Sequence, residues 1–345
     1  MIYNKPMFET TSGKENEGVK QEREKLLVII DGHAILHRAF HALPPLTNSK
    51  GQIVNAVYGF ISIFLKVVED LRPTHLAVVF DRPAPTFRKK MFADYQIQRP
   101  EMDKDMVPQI ELVHKVLSEM EIPIYEMDGY EADDLIGTIV QRIKKEQGTN
   151  KHNIKSIIVT GDRDILQLVD ENTKVYMPQK GLSQAKLYGE QEVIEKLGIK
   201  PGKVVEYKGL VGDASDNYPG VAGIGPKTAI NLLEKYGTVE GIYSHLGQIK
   251  SQAVKEKLEK NKDVAFLSKK LATIMTDVPF EFYVENNCIP DFNNAKVRWL
   301  FEEMEFKSLM SRLEGNGREQ IINNKEQGIG NKKQKDNDVG QQTLF

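Results

Sequence analysis

Cysteine is almost missing from this chain: Cys288 stands alone among 345 residues. One thiol forms no internal disulfide and builds no Cys-based metal site. Long apolar runs are missing too, since none approaches the ~18 residues that span a bilayer. The first 25 residues hold no apolar core of the kind a secretory signal needs. A cytoplasmic protein with no membrane contact is the expectation. Excess positive charge is also lacking, for the formal net charge is −2, whereas a nucleic-acid footprint is usually basic. That total hides a partition. Nine carboxylates assigned below to one site account for nine negative charges, which leaves +7 on the rest of the chain. Near-neutrality therefore does not exclude a nucleic-acid substrate.

What is present is an alternation of short apolar runs and helical patterns. Leu26-Leu27-Val28-Ile29-Ile30, His75 to Phe80 and Ser156 to Thr160 suit strands buried on both faces. Residues 56–70 and 106–120 and a stretch from about 131 show helical spacing, and 122–125 suits a short strand. Such alternation predicts an α/β fold, a parallel sheet with helices on both faces. From about residue 200 the pattern turns helical, broken at Gly220 to Pro226, and a last helix is expected over 295–313. Residues 1–24 and 314–345 are polar and unpatterned, so a disordered leader and tail are expected.

Three of the buried runs end at or beside an aspartate: Asp31, Asp81 and Asp162. In an open parallel sheet, functional groups gather beyond the carboxyl ends of the strands, which places these three at one edge. Asp164 follows closely, Glu131, Asp133 and Asp134 open a helix, and Asp213 and Asp216 lie in the segment GDASDN. Taken singly, such acids cap helices or sit in solvated turns. Gathered together they repel, and hard divalent cations such as Mg²⁺ or Mn²⁺ relieve the repulsion through oxygen ligands. A cluster large enough for two ions suits phosphodiester hydrolysis, one ion activating water and the other stabilising the leaving oxygen. The segment GVAGIGPK, from Gly220 to Lys227, combines flexible backbone, amides at a helix start and a lysine. That set holds a phosphate without reading sequence, although a plain tight turn between two helices has the same composition.

Five segments are specific enough to carry a resemblance: IIDGHAILHRAFHALPPLT, AVVFDRPAPTFR, GYEADDLIGT, VTGDRDILQLV and KGLVGDASDNYPGVAGIGPKTA. They resemble the 5′-nuclease domain of bacterial DNA polymerase I, a relative of the flap endonucleases, from about residue 26 to 313. No proofreading-like or polymerase segment follows, so a free-standing nuclease is expected. The resemblance implies a PIN-like core over 25–199 with a helical arch at about 83–108. It also implies a helix–three-turn–helix DNA-binding region, of the helix-hairpin-helix type, over 200–313. By the same resemblance Asp31, Asp81, Glu131, Asp133, Asp134, Asp162, Asp164, Asp213 and Asp216 hold metal ions directly or through water. Arg38, Arg88 and Arg99 would face the substrate at the active site. Lys208, Lys227 and the backbone of Gly220, Gly223 and Gly225 would contact DNA, with K⁺ assisting at the hairpin. The implied activity is removal of 5′ flaps and RNA primers in replication and repair, by a monomer.

One position departs from the family. Where relatives have Tyr-Lys, this chain reads Tyr95-Gln96. Glutamine donates a hydrogen bond without charge, which predicts chemistry slower by about 10²-fold through the loss of one electrostatic donor. Lys89, Lys90 or Lys104 would substitute if the arch brought one near. A catalytically weakened DNA-binding module of the same fold is the alternative function, and a PIN-type ribonuclease is a third. The intact acid set favours the DNA nuclease. The final residues, QQTLF, resemble the peptide that docks bacterial replication proteins on the sliding clamp. Leu344 and Phe345 would anchor in an apolar pocket, with Gln341 making polar contacts.

Overall fold

With no polar residue between Leu27 and Ile30, β1 (Lys25–Asp31) has no face suited to water, and it lies inside the sheet. The computed structural model describes residues 25–147, 154–179 and 184–313. The expected leader, the tail and its Gln341, Leu344 and Phe345 lie outside these residues. Beside β1 come β2 (His75–Val79), β3 (Ile124–Tyr125), β4 (Ile154–Val159), β5 (Thr173–Pro178) and β6 (Ala185–Tyr188), in the order β3-β2-β1-β4-β5-β6. Five strands are parallel, and β6 runs antiparallel to β5 at the edge. Strand order reverses between β1 and β4, so a crevice opens beyond their carboxyl ends. Alternate side chains of β1 feed two cores. Val28 and Ile30 pack with Leu36, Phe60 and Phe64 on one face, and Leu27 and Ile29 pack with Ile136, Ile139 and Ile158 on the other.

Helices cover both faces. On the first lie α1 (Gly32–Ala42) and α2 (Asn55–Leu71); after the short α3 (Phe87–Met91) comes α4 (Val107–Glu119), also on that face. The second face is covered by α5 (Ala132–Gln147), and α6 (Glu190–Leu197) follows the edge strand. A third apolar cluster of Leu210, Val221, Leu233, Ile242 and Leu258 joins α7 (Val204–Val211), α8 (Pro226–Tyr236), α9 (Val239–Ser244), α10 (Gln252–Lys260) and α11 (Lys262–Ala272). The chain then returns, and α12 (Ala295–Glu303) packs Val297, Leu300 and Phe301 into the first core.

Three elements differ from the sequence reading. The antiparallel edge pair β5–β6 went unread because TKVYMP and AKLY are short and interrupted by polar residues. The single helix expected over 295–313 is broken. Glu305 takes φ 63°, the Phe306 N–H bonds to the Phe301 carbonyl at 2.8 Å, and helix resumes only at 307. The expected arch at 83–108 contains one five-residue helix, α3, and otherwise runs as turns. Pro83, Pro85 and Pro100 each remove a backbone donor that a continuing helix requires.

Candidate metal centre

Asp31 closes β1 and caps α1. Its Oδ1 accepts from the Ala34 N–H at 3.0 Å, and its Oδ2 accepts from the Thr160 hydroxyl, just beyond β4, at 2.7 Å. Asp81 follows β2 and accepts from the Ala132 N–H at 2.8 Å, where α5 begins. His33 flanks it, receiving the Asp81 N–H on Nδ1 at 3.1 Å, and burial holds its pKa below the ordinary histidine value. Asp162 accepts from the Asp164 N–H at 2.8 Å. Asp133 projects from the first turn of α5, and no donor among the described residues bonds its carboxylate. Burial, then the charges of Asp162 and Asp31, push its pKa well above the ordinary aspartate value. Burial, then Asp81, push Asp31 up to about 7. The strand-end carboxylates therefore repel one another, although among the described residues only Asp164, Asp213 and Asp216 bring carboxylate oxygens within 4.8 Å of each other.

Asp134 and Arg88 belong elsewhere. The Asp134 carboxylate is fully buried and takes a forked pair of bonds from Arg88, both at 2.7 Å. It also accepts from the Glu131 and Met275 N–H groups at 3.0 and 2.9 Å. Arg88 is 2% exposed and donates further to the Leu271 and Thr273 carbonyls, both at 2.9 Å. The expectation of Asp134 as a metal ligand and of Arg88 as a substrate contact is corrected on this geometry. Four donors saturate the one, and the other is sealed inside. Glu131 stands between the two settings. It lies 3.2 Å from Arg88 and accepts from the Thr86 and Tyr95 hydroxyls. Burial pushes it up to about 7 despite Arg88.

A second group of acids sits where the core meets the helical region. Carboxylate oxygens of Asp164, Asp213 and Asp216 lie within 4.8 Å of one another. Lys208, on α7, donates to both Asp164 and Asp213. Burial raises Asp164 to about 6, with Lys208 opposing and Asp162 adding to the shift. Burial also raises Asp216, and the Gln96 amide, donating to it at 2.9 Å, opposes that. The Gln96 N–H bonds to the Asp216 carbonyl at 2.9 Å, and the Asn217 amide bonds to the Asp94 carbonyl at 2.8 Å. Tyr95 stacks on Tyr218 at 6.4 Å. The segment expected to arch over the site is thus fastened onto the GDASDN loop. Arg99 is exposed, 3.5 Å from the Gln96 side-chain oxygen, and Arg38 donates to the Gln179 carbonyl. Lys89 is tied to the Tyr95 carbonyl at 2.9 Å, while Lys90 and Lys104 are exposed.

The glycine hairpin joins α7 to α8. Gly220 takes φ 63°, and a Cβ there would lie 2.3 Å from the Gly212 nitrogen, so no other residue fits. Gly223 takes φ 78°, and its carbonyl receives the Lys257 ammonium at 3.0 Å. Gly225 caps α8, Pro226 opens it, and Lys227 is exposed beside them. This turn is built for close backbone approach.

The donor set matches a hard cation, since the group of ligand-spaced side chains found among the described residues consists of carboxylates alone. Tyr218 adds a second sign. It is 2% exposed, its hydroxyl has no partner, and Asp164, Asp213 and Asp216 surround it closely enough to raise its pKa beyond the effect of burial. Sequence reading missed Thr160, His33, Tyr95, Lys257 and Tyr218. Thr160 and His33 had a signal, since each lies within two residues of a strand-end aspartate. The tyrosines had none.

Residues 26–198 match the family described as 5′-3′ exonuclease, N-terminal resolvase-like domain, and residues 199–295 match the 5′-3′ exonuclease C-terminal SAM fold. The chain is 40% identical over 292 residues to DNA polymerase I of Bacillus subtilis, covering 85% of this chain and 32% of that one. It therefore spans about a third of the length of the polymerases it matches. Against the 5′-3′ exonuclease of Aquifex aeolicus it is 39% identical, covering 84% of this chain and 96% of that protein. Among solved structures, the T5 D15 protein co-crystallised with metal ions aligns with TM-score 0.61 at 18% identity, covering 84% of this chain and all of that one. The catalytic core of Rad2 with DNA substrate aligns at TM-score 0.52 and 18% identity, covering 84% of this chain and 92% of that one. These two likenesses establish the fold alone. No helix among the described residues is long and apolar enough to cross a membrane. The chain belongs to the 5′-3′ exonuclease family of nucleases.

Proposed function

We propose that this chain hydrolyses DNA phosphodiesters at or near 5′ ends, as a structure-specific exonuclease and flap endonuclease using two divalent ions, Mg²⁺ or Mn²⁺. The observation that carries this is the mutual repulsion of Asp31, Asp81, Asp133 and Asp162 at the sheet's switch point, with Asp133 left undonated among the described residues. Repulsion of that kind is what bound cations relieve. When bound, such ions supply an activated water and neutralise charge at the scissile phosphate. The chain supplies the rest. Thr160 and the Ala34 and Ala132 amides fix the carboxylates that hold the first ion, and Asp164, Asp213 and Asp216 offer ligands for a second.

Residues 25–199 form the catalytic unit in this reading, and 200–313 grip the duplex. Arg38, Gln96 and Arg99 approach the phosphate being cut, while Lys227 and the amides of the glycine hairpin, with K⁺ assisting, hold a backbone phosphate farther along. The names of relatives support the substrate. One is a 5′-3′ exonuclease, and a structural neighbour is a flap endonuclease complexed with DNA and metal ions. Flaps and RNA primers met in replication and repair are the proposed targets, cut by a monomer in the cytoplasm. A weakened DNA-binding module is the second reading, favoured by Gln96 standing at Asp216 in place of a lysine. A double-flap DNA labelled at either end, incubated with Mg²⁺, separates the two. Cuts at the junction leaving a 5′-phosphate on the duplex side support the nuclease, and tight binding without cutting supports the module. The QQTLF tail would tether the enzyme to a sliding clamp, raising its local concentration even through weak contacts. Removing residues 341–345 abolishes clamp pull-down if so, and undiminished capture rejects it.

A further inference from the structure

Lys208 occupies an odd place for a DNA contact. Its side chain is only 13% exposed, and its ammonium binds Asp164 Oδ1 and Asp213 Oδ2 together. These two carboxylates, with Asp216, are the ones spaced as ligands of a single ion. An oxygen bonded to an ammonium is not free for a metal, and two cations at that spacing repel strongly where water is scarce. Two carboxylates hold the ammonium at once, one from each side of the junction between core and helical region. The ammonium is therefore well held. The buried Tyr218 hydroxyl, near the same three carboxylates, has no hydrogen-bond partner among the described residues. The flexible four-carbon stem allows the ammonium to withdraw without moving α7.

We infer that Lys208 is the resident counter-ion of the Asp164–Asp213–Asp216 group and competes with the second divalent ion for it. The DNA-free chain then takes up one ion readily at the strand ends and a second only weakly. This rests on the reading of the acids as a cation centre. The test titrates the full-length chain with Mn²⁺ in the absence of DNA, reading free Mn²⁺ by its electron paramagnetic resonance signal. Wild type shows two classes of site, the second weaker by at least about tenfold, as expected when an ammonium must first be displaced. Lys208→Met tightens the second class by about tenfold and leaves the first nearly unchanged, because the stem stays and only the charge goes. Lys208→Arg keeps the weak class. Thermal unfolding of each variant, with and without Mn²⁺, verifies that it is folded. A second class in Lys208→Met no tighter than in wild type overturns the inference. Absence of any Mn²⁺ uptake by wild type overturns the cation-centre reading itself, a distinct result.

Discussion

Gln96 shows how much rests on a single neutral side chain. It takes φ 55°, and both its backbone and side-chain N–H groups reach Asp216. In the proposed reaction a lysine there would bring a full charge toward the scissile phosphate, whereas the amide brings a dipole. Gln96→Lys is expected to raise the single-turnover cleavage rate by about 10²-fold, the size of one transition-state electrostatic donor; a variant no faster than wild type removes Gln96 from the chemistry. At this scale Asp31, Asp81 and Asp162 were legible because they follow apolar runs suited to buried strands. Separating Asp133 from Asp134 was not. Neighbours on a helix point about 100° apart, so one faces the crevice and the other faces Arg88. Only the packing of α3 decides which.

Among elements, Arg88 is the joint. From α3 it fastens α5 through Asp134 and the end of α11 through the Leu271 and Thr273 carbonyls. Removing one partner of a buried ion pair strands the other charge, at a cost of roughly 3–5 kcal/mol. Arg88→Met is expected to lose about that much in urea denaturation at neutral pH, and a loss below ~1 kcal/mol would show that water reaches Asp134. The sequence displayed the parallel strands and the glycine hairpin clearly, because continuous apolar runs and clustered glycines are local signals. It hid the 83–108 segment, whose position depends on contacts with Asp216 and Asn217 more than a hundred residues away. The β5–β6 edge was hidden for the same reason, since an edge strand is specified by its partner.

For the whole molecule, the acid cluster stores repulsion that bound cations would relieve. Asp31 and Glu131 both stand at about 7, against 3.8 and 4.5 when free. The folded state thus binds protons more tightly than the unfolded one between about pH 4 and 7, and this contribution to stability is present below that window and lost as pH rises through it. In chelator the melting temperature should fall between pH 5 and pH 8 relative to the same protein in Mg²⁺. The difference between the two conditions should widen to at least about 5 °C at pH 8. A difference independent of pH would mean that Mg²⁺ does not bind these carboxylates. The net charge of −2 reflects the same acids, which mask a basic remainder.

The central claim is that these carboxylates form the centre at which DNA is cut, and one comparison tests it most directly. Wild type and Asp133→Asn are each incubated with a labelled double-flap DNA in Mg²⁺, with binding measured in parallel in Ca²⁺. Asp133 has no donor among the described residues to lose, so the variant should fold and bind normally while cleavage falls by at least about 10²-fold. Cleavage by Asp133→Asn at the wild-type rate would contradict the account and move the active site elsewhere.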